Sequence, residues 1–436
     1  MSDPTTTPQI FYHSTLYPSS LPNLLRSVLP TGLPLYRRLQ FPLRSGFEFL
    51  ISTFPVSTTV LPKTFCIAWV DRSRRPESQC FLFSSLEAEH RWYTEFQSPE
   101  NYKNAEDYGL GVAQLRAVLL AIRNLPYPPS QDEDGYEERK AASIEARRRA
   151  EPEGREDPLL SKTWELSDKD KLEKTFIMLG AIHNISSRII QDDFKMVPKD
   201  LWGIEGVWAA SYRKWLFSTD TIAQNTHVQA SDPTKRLQSA RTVAETTAAA
   251  GNPDGEEEFE NLGNEGLPDG LYWSAMQEQD LTTVRSRTHI PRRERTMRLL
   301  PSICIRRHPS FKAPAGALPP PASAAPHSAE PPDPDGSPAA APLGPNDPIA
   351  WAFLGVDASL SSLHVEPGFR GLGLAKAVAG KLFTDGMVGT YGMEDGERWA
   401  HSDVADDNES SIGVMKSLQG RKGAEHWWMR VHLGVL

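Results

Sequence analysis

Residues 365 to 375 read VEPGFRGLGLA, and this run restricts the fold more than any other part of the chain. Pro367 cannot donate to a sheet ladder, so a strand arriving through SLSSLHV has to stop there. Gly371 and Gly373 then tolerate positive φ and leave the main chain bare for close approach by a ligand. In the following LAKAVAGKLF, the apolar residues Leu374, Ala377, Val378 and Leu382 recur at helical spacing, so a helix is expected to begin beside the glycines. The first amides of a helix have no partner inside it, and together with the macrodipole they form a socket for anionic phosphate oxygens. A strand, a glycine loop and a phosphate-ready helix follow in order.

Bulk properties narrow what such a socket serves. A chain of 436 residues is long enough for two or three domains. Its 47 Lys and Arg against 56 Asp and Glu leave a net charge of -9, with no basic excess to displace counterions, so no nucleic-acid partner is expected. Cys66, Cys80 and Cys304 have no paired spacing, which argues against a disulfide framework or a cysteine-rich zinc site. The acid clusters DEDG, GEEEFE and DDNE lack the ligand order of a calcium loop, and no metal is expected. No basic-then-apolar leader opens the chain and no run of about eighteen apolar residues interrupts it, so neither secretion nor a membrane partner is expected. A reducing compartment fits best, with the cytoplasm expected. The acid-free stretch between Asp3 and Glu48, which holds Arg26, Arg37, Arg38 and Arg44, makes a mitochondrial location an alternative, beside a nuclear one.

Three segments lack the apolar side chains a core needs. These are the charged stretch 130–158, the linker 230–262 and the Pro- and Ala-rich insertion 312–348. They leave an N-terminal half, residues 1–229, and a C-terminal domain, residues 263–436. In the first, SLPNLLRSVLP reads as a short helix, FEFLISTFP as a strand and TFCIAWVDRSRRPESQCFLFSSLE as two strands around a polar turn. AQLRAVLLAIRNL and KLEKTFIMLGAIHNISSRIIQDDF both carry apolar residues at three and four spacing and are expected as helices packed on that sheet. In the second, LYWSAM is followed by the helical stretches DLTTVRSR and RRERTMRLL. The strands PSICIRRH, PIAWAFLG and SLSSLHVEP then form an antiparallel run that ends at Pro367. After the glycine loop and its helix come a strand in RWAHSDVA, a helix in NESSIGVMKSL and a closing strand in HWWMRVHL. The fold class is α+β.

The block LHVEPGFRGLGLAKAVAGKLF resembles the acyl-CoA loop of the GNAT superfamily of N-acetyltransferases, with Arg370, Gly373 and Ala375 filling its pattern and Asn408 downstream. Within the superfamily the chain is most similar to the glycine N-acyltransferase-like group, through LLRSVLPTGLPLYRRL, GLYWSAM, PSICIRR, IAWAFLGVDASLSSLHVEPGFRGLGL, DNESSIGVMKSLQ and HWWMRVHL. The resemblance implies two tandem GNAT-like halves, each a mixed sheet flanked by helices, of which the second binds acyl-CoA. It implies acetyl-CoA or another acyl-CoA as co-substrate, and a small amine or amino acid as acceptor. A protein or peptide N-acetyltransferase, or an acyl-CoA-binding protein without turnover, is the alternative.

By resemblance, the amides around Gly371, Gly373, Ala375 and Lys376 hold the CoA pyrophosphate, and those near Val365 bind pantetheine. That of Leu363 polarises the thioester carbonyl. Asn408 contacts the cofactor or, on the residues alone, caps the helix beginning ESSIGV. Two departures touch the chemistry. Glycine-conjugating members carry a glutamate base eleven residues before the loop arginine, where this chain has Ser359; Asp357, the nearest carboxylate, is the candidate catalytic base in its place, or else shapes the turn between two strands. Many acetyltransferases place a tyrosine seven residues after the asparagine, where this chain has Met415. His401 and Asp403 share one face of their strand and either meet the acceptor or sit at a core edge; Trp427 and Trp428 read as packing.

The low apolar content of the long insertion generates a prediction. Replacing most of Ala313 to Asn346 by a short Gly/Ser bridge leaves the melting temperature and acyl-CoA affinity nearly unchanged, because closure entropy varies slowly with loop length. Calorimetry checks it, and loss of soluble folded protein refutes it.

Overall fold

The computed structural model describes residues 8–13, 20–42, 47–55, 57–72, 79–88, 101–126, 176–197, 208–225, 262–287, 294–309, 311, 343–344, 346–391 and 399–436. The stretch 130–158, all of the linker except residue 262 and most of the insertion 312–348 lie outside the described residues. In chain order the elements begin β1 (Phe11–His13), α1 (Ser20–Leu25), α2 (Leu33–Gln40), β2 (Glu48–Ser52), β3 (Cys66–Asp71), β4 (Gln79–Ser84) and α3 (Tyr108–Arg123). They continue with β5 (Phe176–His183), α4 (Asn184–Arg188), β6 (Trp208–Ser218), α5 (Thr219–Asn225), β7 (Leu271–Ser274), α6 (Asp280–Ser286) and α7 (Glu294–Met297). The last are β8 (Ser302–Arg307), β9 (Ala350–Leu354), β10 (Leu360–Val365), α8 (Leu374–Lys381), α9 (Met387–Tyr391), β11 (Trp399–Val404), α10 (Glu409–Ser417) and β12 (Arg421–His432).

Contacts divide the chain into two units. One comprises residues 1–35, 44–212 and 425–436, and the other residues 36–43 and 213–424. The chain therefore passes from unit to unit inside α2, β6 and β12. This division differs from the boundary drawn in sequence at 229 and 263, because a strand is assigned by what it pairs with.

In the first unit β1, β2, β3 and β4 form an antiparallel run, β5 lies parallel to β4, and the end of β12 pairs antiparallel with β5. The closing strand thus belongs to the N-terminal sheet, with His426 opposite His183 and His432 opposite Phe176. Helix α3 buries Leu115, Val118, Leu119 and Ile122, spaced by three and four, into a core shared with Cys66, Ala68, Val70 and Leu179. The stretch KLEKTFIMLGAIHNISSRIIQDDF corrects its expected helix: Phe176–His183 is a strand, and helix begins only at Asn184. Nearly every residue of this strand is buried, and a run apolar on both faces cannot be told from helix by periodicity. Trp428 stands edge-on to Phe81 at 6.0 Å, in the packing role expected of it.

In the second unit β7, β8, β9 and β10 form an antiparallel sheet in the order β10-β9-β8-β7, and β11 pairs antiparallel with Arg213–Ser218 of β6. Helix α8 packs on one face, where the Lys381 ammonium lies 5.4 Å from the centre of the Trp273 ring. Helix α6 packs on the other, where Asp280 pairs with Arg306 of β8 at 2.6 Å. The insertion rejoins the body before its expected end: Arg306 donates to the Asn346 carbonyl at 2.5 Å and Arg307 to that of Gly344 at 3.3 Å. A deletion that spares these bonds stops at Pro342.

Both units repeat one device. The parallel pair β4–β5 is in register only at Gln79–Met178 and Cys80–Leu179, near the start of each strand, and a short 3-10 turn, Ser85–Glu87, follows β4. The parallel approach of β10 to β11 is confined to a bridge between Ser359 and His401, and a 3-10 turn, Pro367–Phe369, follows β10. Each unit thus holds one parallel pair of strands that meets only over a short stretch. The units differ in what comes next, since no glycine occurs between Ala88 and Tyr108, whereas Gly371 and Gly373 precede α8.

Glu87 sits buried at the open end of the first pair, where Ser186 donates to it. Burial pushes its carboxyl up from 4.5 to about 8, against the opposing hydrogen bonds from Ser186 and the Ser84 backbone. Between those values the folded protein holds a proton that the unfolded chain has lost. Stability therefore falls as pH rises from about 5 to about 8, by at most about 1.4 kcal/mol per unit, and levels off above. Glu87→Gln keeps the neutral shape and flattens that slope. Denaturation midpoints across this range check it, and parallel profiles for the two proteins refute it.

Candidate active site

The site is built on β10, whose ladder with β9 is interrupted. Ser361 lies opposite Phe353 and His364 opposite Trp351, so three steps along β10 match two along β9 and one residue is extra. Ser362 takes φ +50 to make this bulge, a strained value for a residue with a side chain, and its hydroxyl is buried without a hydrogen-bond partner. Leu363, the expected oxyanion donor, lies inside the bulge with no residue opposite it on β9. Val365 returns to register opposite Ala350.

The glycine loop has the backbone its sequence asks for. Gly371 and Gly373 have φ of +82 and +77, and a Cβ built on either would meet no protein atom within 4 Å. Both positions need glycine and both face open space, which fits a cradle that a diphosphate can enter. Gly373 is the N-cap of α8, and the first helical bond runs from the Ala377 amide to its carbonyl at 3.0 Å. The amides of Leu374, Ala375 and Lys376 precede that bond, at the positive end of the helix. Arg370 turns back, its Nε donating to the Val365 carbonyl at 3.2 Å, and so ties the loop to the end of β10. Asn408 caps α10, its Oδ1 accepting from the Ser411 amide at 3.0 Å, and Met415 is buried in that helix.

Beneath the point where β10 and β11 part lies a buried polar chain. Asp357, in the β9–β10 turn, is 1% exposed and accepts from the Ser359 amide at 3.2 Å and the Ser359 hydroxyl at 2.6 Å. That geometry is an Asx turn, so a base role for Asp357 has to pass through Ser359, itself 8% exposed. His401 donates from Nε2 to the Asp357 carbonyl at 2.8 Å, and Lys214 donates to its Nδ1 at 3.2 Å. Burial, with the Lys214 charge beside it, holds the imidazole below its ordinary pKa, which keeps it neutral with the proton on Nε2. Lys214 also pairs with Asp403 at 2.7 Å. His401 and Asp403 are thus spent on this chain and take the core-edge role.

Sequence reasoning passed over a second cluster, on the α6 face. His364 stacks on Trp351 at 4.6 Å, with its Nε2 3.6 Å from Glu366 Oε1. Arg287, just past α6, donates to the same oxygen at 2.8 Å. Burial would raise the Glu366 carboxyl, but His364 and Arg287 outweigh it and hold it below its ordinary value. The one available signal was His364 and Glu366 two apart in a strand. Among the described residues no group of three or more His, Cys, Asp or Glu is placed to hold a metal ion, and no helix is long and apolar enough to cross a membrane.

The sequence model of a family described as the acyl-CoA N-acyltransferase verG N-terminal domain matches residues 7–215. No curated protein matches the sequence. Among solved structures, the chain is similar to a Drosophila protein at 11% identity, covering 97% of this chain and 98% of that one with a TM-score of 0.46. It is also similar to a tandem GNAT protein from the clavulanic acid biosynthesis pathway, at 9% identity over 98% and 99% with a TM-score of 0.35. A GCN5-related N-acetyltransferase from Sphaerobacter thermophilus matches at 9% identity over 97% and 96% with a TM-score of 0.32. The family match thus covers residues 7–215, just under half of the chain, and the bulged strand, its diverging neighbour and the glycine cradle lie in the other half.

Proposed function

We propose that this protein is an acyltransferase of GNAT type, which moves the acyl group of acetyl-CoA or a related acyl-CoA onto a small amine or amino acid by direct attack of nitrogen on the thioester. The observation that carries this reading is the bulge in β10 beside its single bridge to β11, with the glycine cradle at the far end of the same strand. In it the amides of Gly371, Gly373, Ala375 and Lys376 take the pyrophosphate, while the edge of β10 near Val365 receives pantetheine as an added strand. Leu363 N–H meets the carbonyl oxygen on which charge develops. Arg370 and Asn408 fix the loop and the α10 end around the cofactor. The thiolate of CoA leaves without a dedicated acid, since Met415 offers no proton. Ser359 and Asp357 shape the turn that brings β10 to β11. Resemblance to the glycine N-acyltransferase-like group supports the small acceptor over a protein one.

Two measurements test the reading. Gly373→Glu puts a carboxylate at the cradle and a side chain on a backbone of φ +77, so calorimetric titration with acetyl-CoA is expected to show no binding by a still folded protein. Wild-type affinity in that variant would remove the loop from the site. Free-thiol release from acetyl-CoA, benzoyl-CoA and longer acyl-CoAs against a panel of amines, amino acids and peptides is expected to single out a small amine or amino acid. Release only with peptides points to a protein acceptor, and binding without release with any acceptor points to an acyl-CoA-binding protein.

A further inference from the structure

We propose that His364 is the group that takes the proton from the acceptor's ammonium, with Glu366 and Arg287 as its positioning residues. The proposal rests on the acyltransferase reading and goes beyond it by naming a base at a position that neither the loop pattern nor Ser359 indicates. An ammonium has no lone pair, so attack on the thioester needs a base near the carbonyl.

The bulge is what supplies one. In a regular strand Ser361 and Leu363 would face one side and His364 the other. The extra residue at Ser362–Leu363 reverses the alternation, so Ser361, His364 and Glu366 all lie on the side of Phe353 and Trp351, where α6 packs. One distortion thereby takes Leu363 out of register with β9 and turns an imidazole onto the α6 side of the same strand. Neighbouring strand residues are about 3.4 Å apart, so a ring at His364 is within direct or one-water reach of a carbonyl held by Leu363.

The imidazole is held as a base needs to be. Trp351 fixes the ring plane by stacking, and the side chain keeps 19% exposure. Its Nε2 is buried with no hydrogen-bond partner and looks toward Glu366 at 3.6 Å, leaving Nδ1 as the basic nitrogen. Arg287 locks Glu366 in place, and the carboxylate stabilises the imidazolium once it forms. In the step, the acceptor R–NH3+ gives one proton to Nδ1. The freed pair attacks the thioester carbon, a C–N bond forms and the C–S bond breaks, and the second nitrogen proton passes to the CoA thiolate or to water. Other described charged or titratable groups on this face include Cys304, Arg306, Asp280, Tyr272 and His308, the last packed against Tyr272 at 4.8 Å, and Asp280 and Arg306 are paired with each other. Burial pushes the Cys304 thiol up to about 12, so it stays neutral.

The experiment uses the full chain, with the acceptor from the thiol-release panel. For His364→Gln, acetyl-CoA affinity is expected to stay at the wild-type value while kcat/KM falls about a hundredfold or more, the usual scale of general-base catalysis. The acid limb of its pH profile is expected to vanish. Glu366→Gln removes the anion beside the imidazolium, and the limb is expected to move to lower pH with a smaller loss of rate. A structural role for the ring would lower the melting temperature without removing the limb. Wild-type rate and profile in His364→Gln overturn the proposal, as does an unshifted limb in Glu366→Gln should the first variant fail to fold. A wild-type protein that binds acetyl-CoA but releases no thiol with any acceptor overturns the proposed function itself, a result visible before any variant is made.

Discussion

The hydrogen bond from His401 Nε2 to the carbonyl of Asp357, 2.8 Å long and fully buried, is the contact on which the geometry of the C-terminal unit depends. It joins the turn before β10 to the middle of β11 and, with the bridge at Ser359, sets the point at which the two strands stop running together. Beyond that point β10 pairs with β9, and its bulge and the glycine cradle lie along that part. Lys214 makes this junction rigid by serving the imidazole and Asp403 at once. A buried charge of this kind is weak evidence for stability, since its desolvation offsets much of the attraction, yet removing one partner costs about 3–5 kcal/mol because the other charge stays buried. What the chain gains is a defined divergence of two strands.

The N-terminal unit shows the same divergence put to a different end. Its parallel pair also meets only at its start, but the space at the open end is taken by Glu87 and Ser186, both buried. No glycine follows β4 to bare a backbone for phosphate. A carboxyl held neutral by burial is compatible with packing, and here it and Ser186 stand at the open end of the pair.

A bulge is a costly way to arrange a strand, since Ser362 must adopt φ +50 and leave its hydroxyl buried without a partner. One shift of register does two things, taking Leu363 out of step with β9 and placing His364 over Trp351. The Glu366–Arg287 pair closes the arrangement from α6, and its lowered carboxyl stays charged through the neutral range. Chemistry at this site is therefore a consequence of backbone geometry before it is one of side-chain identity.

Local signals were legible in the residues. Pro367, the two glycines and the apolar period of LAKAVAGKLF set strand end, loop and helix, because each acts through its own φ or its own spacing. So was the antiparallel run through SICIRR, AWAFL and LSSLHV. Other features needed the tertiary structure. FIMLGAIH is buried on both faces, where helix and strand have the same apolar pattern, and only pairing with β4 and β12 makes it a strand. The closing strand pairs with β5, some two hundred and fifty residues away in the chain, a choice of partner that local propensity does not encode. His364 and Arg287 meet through Glu366 only because one residue too many in β10 reverses its faces. The sequence by itself determined that a strand end, a glycine loop and a helix follow one another; which side chains share a face was decided by register, since a shift of one residue moves every side chain to the opposite face.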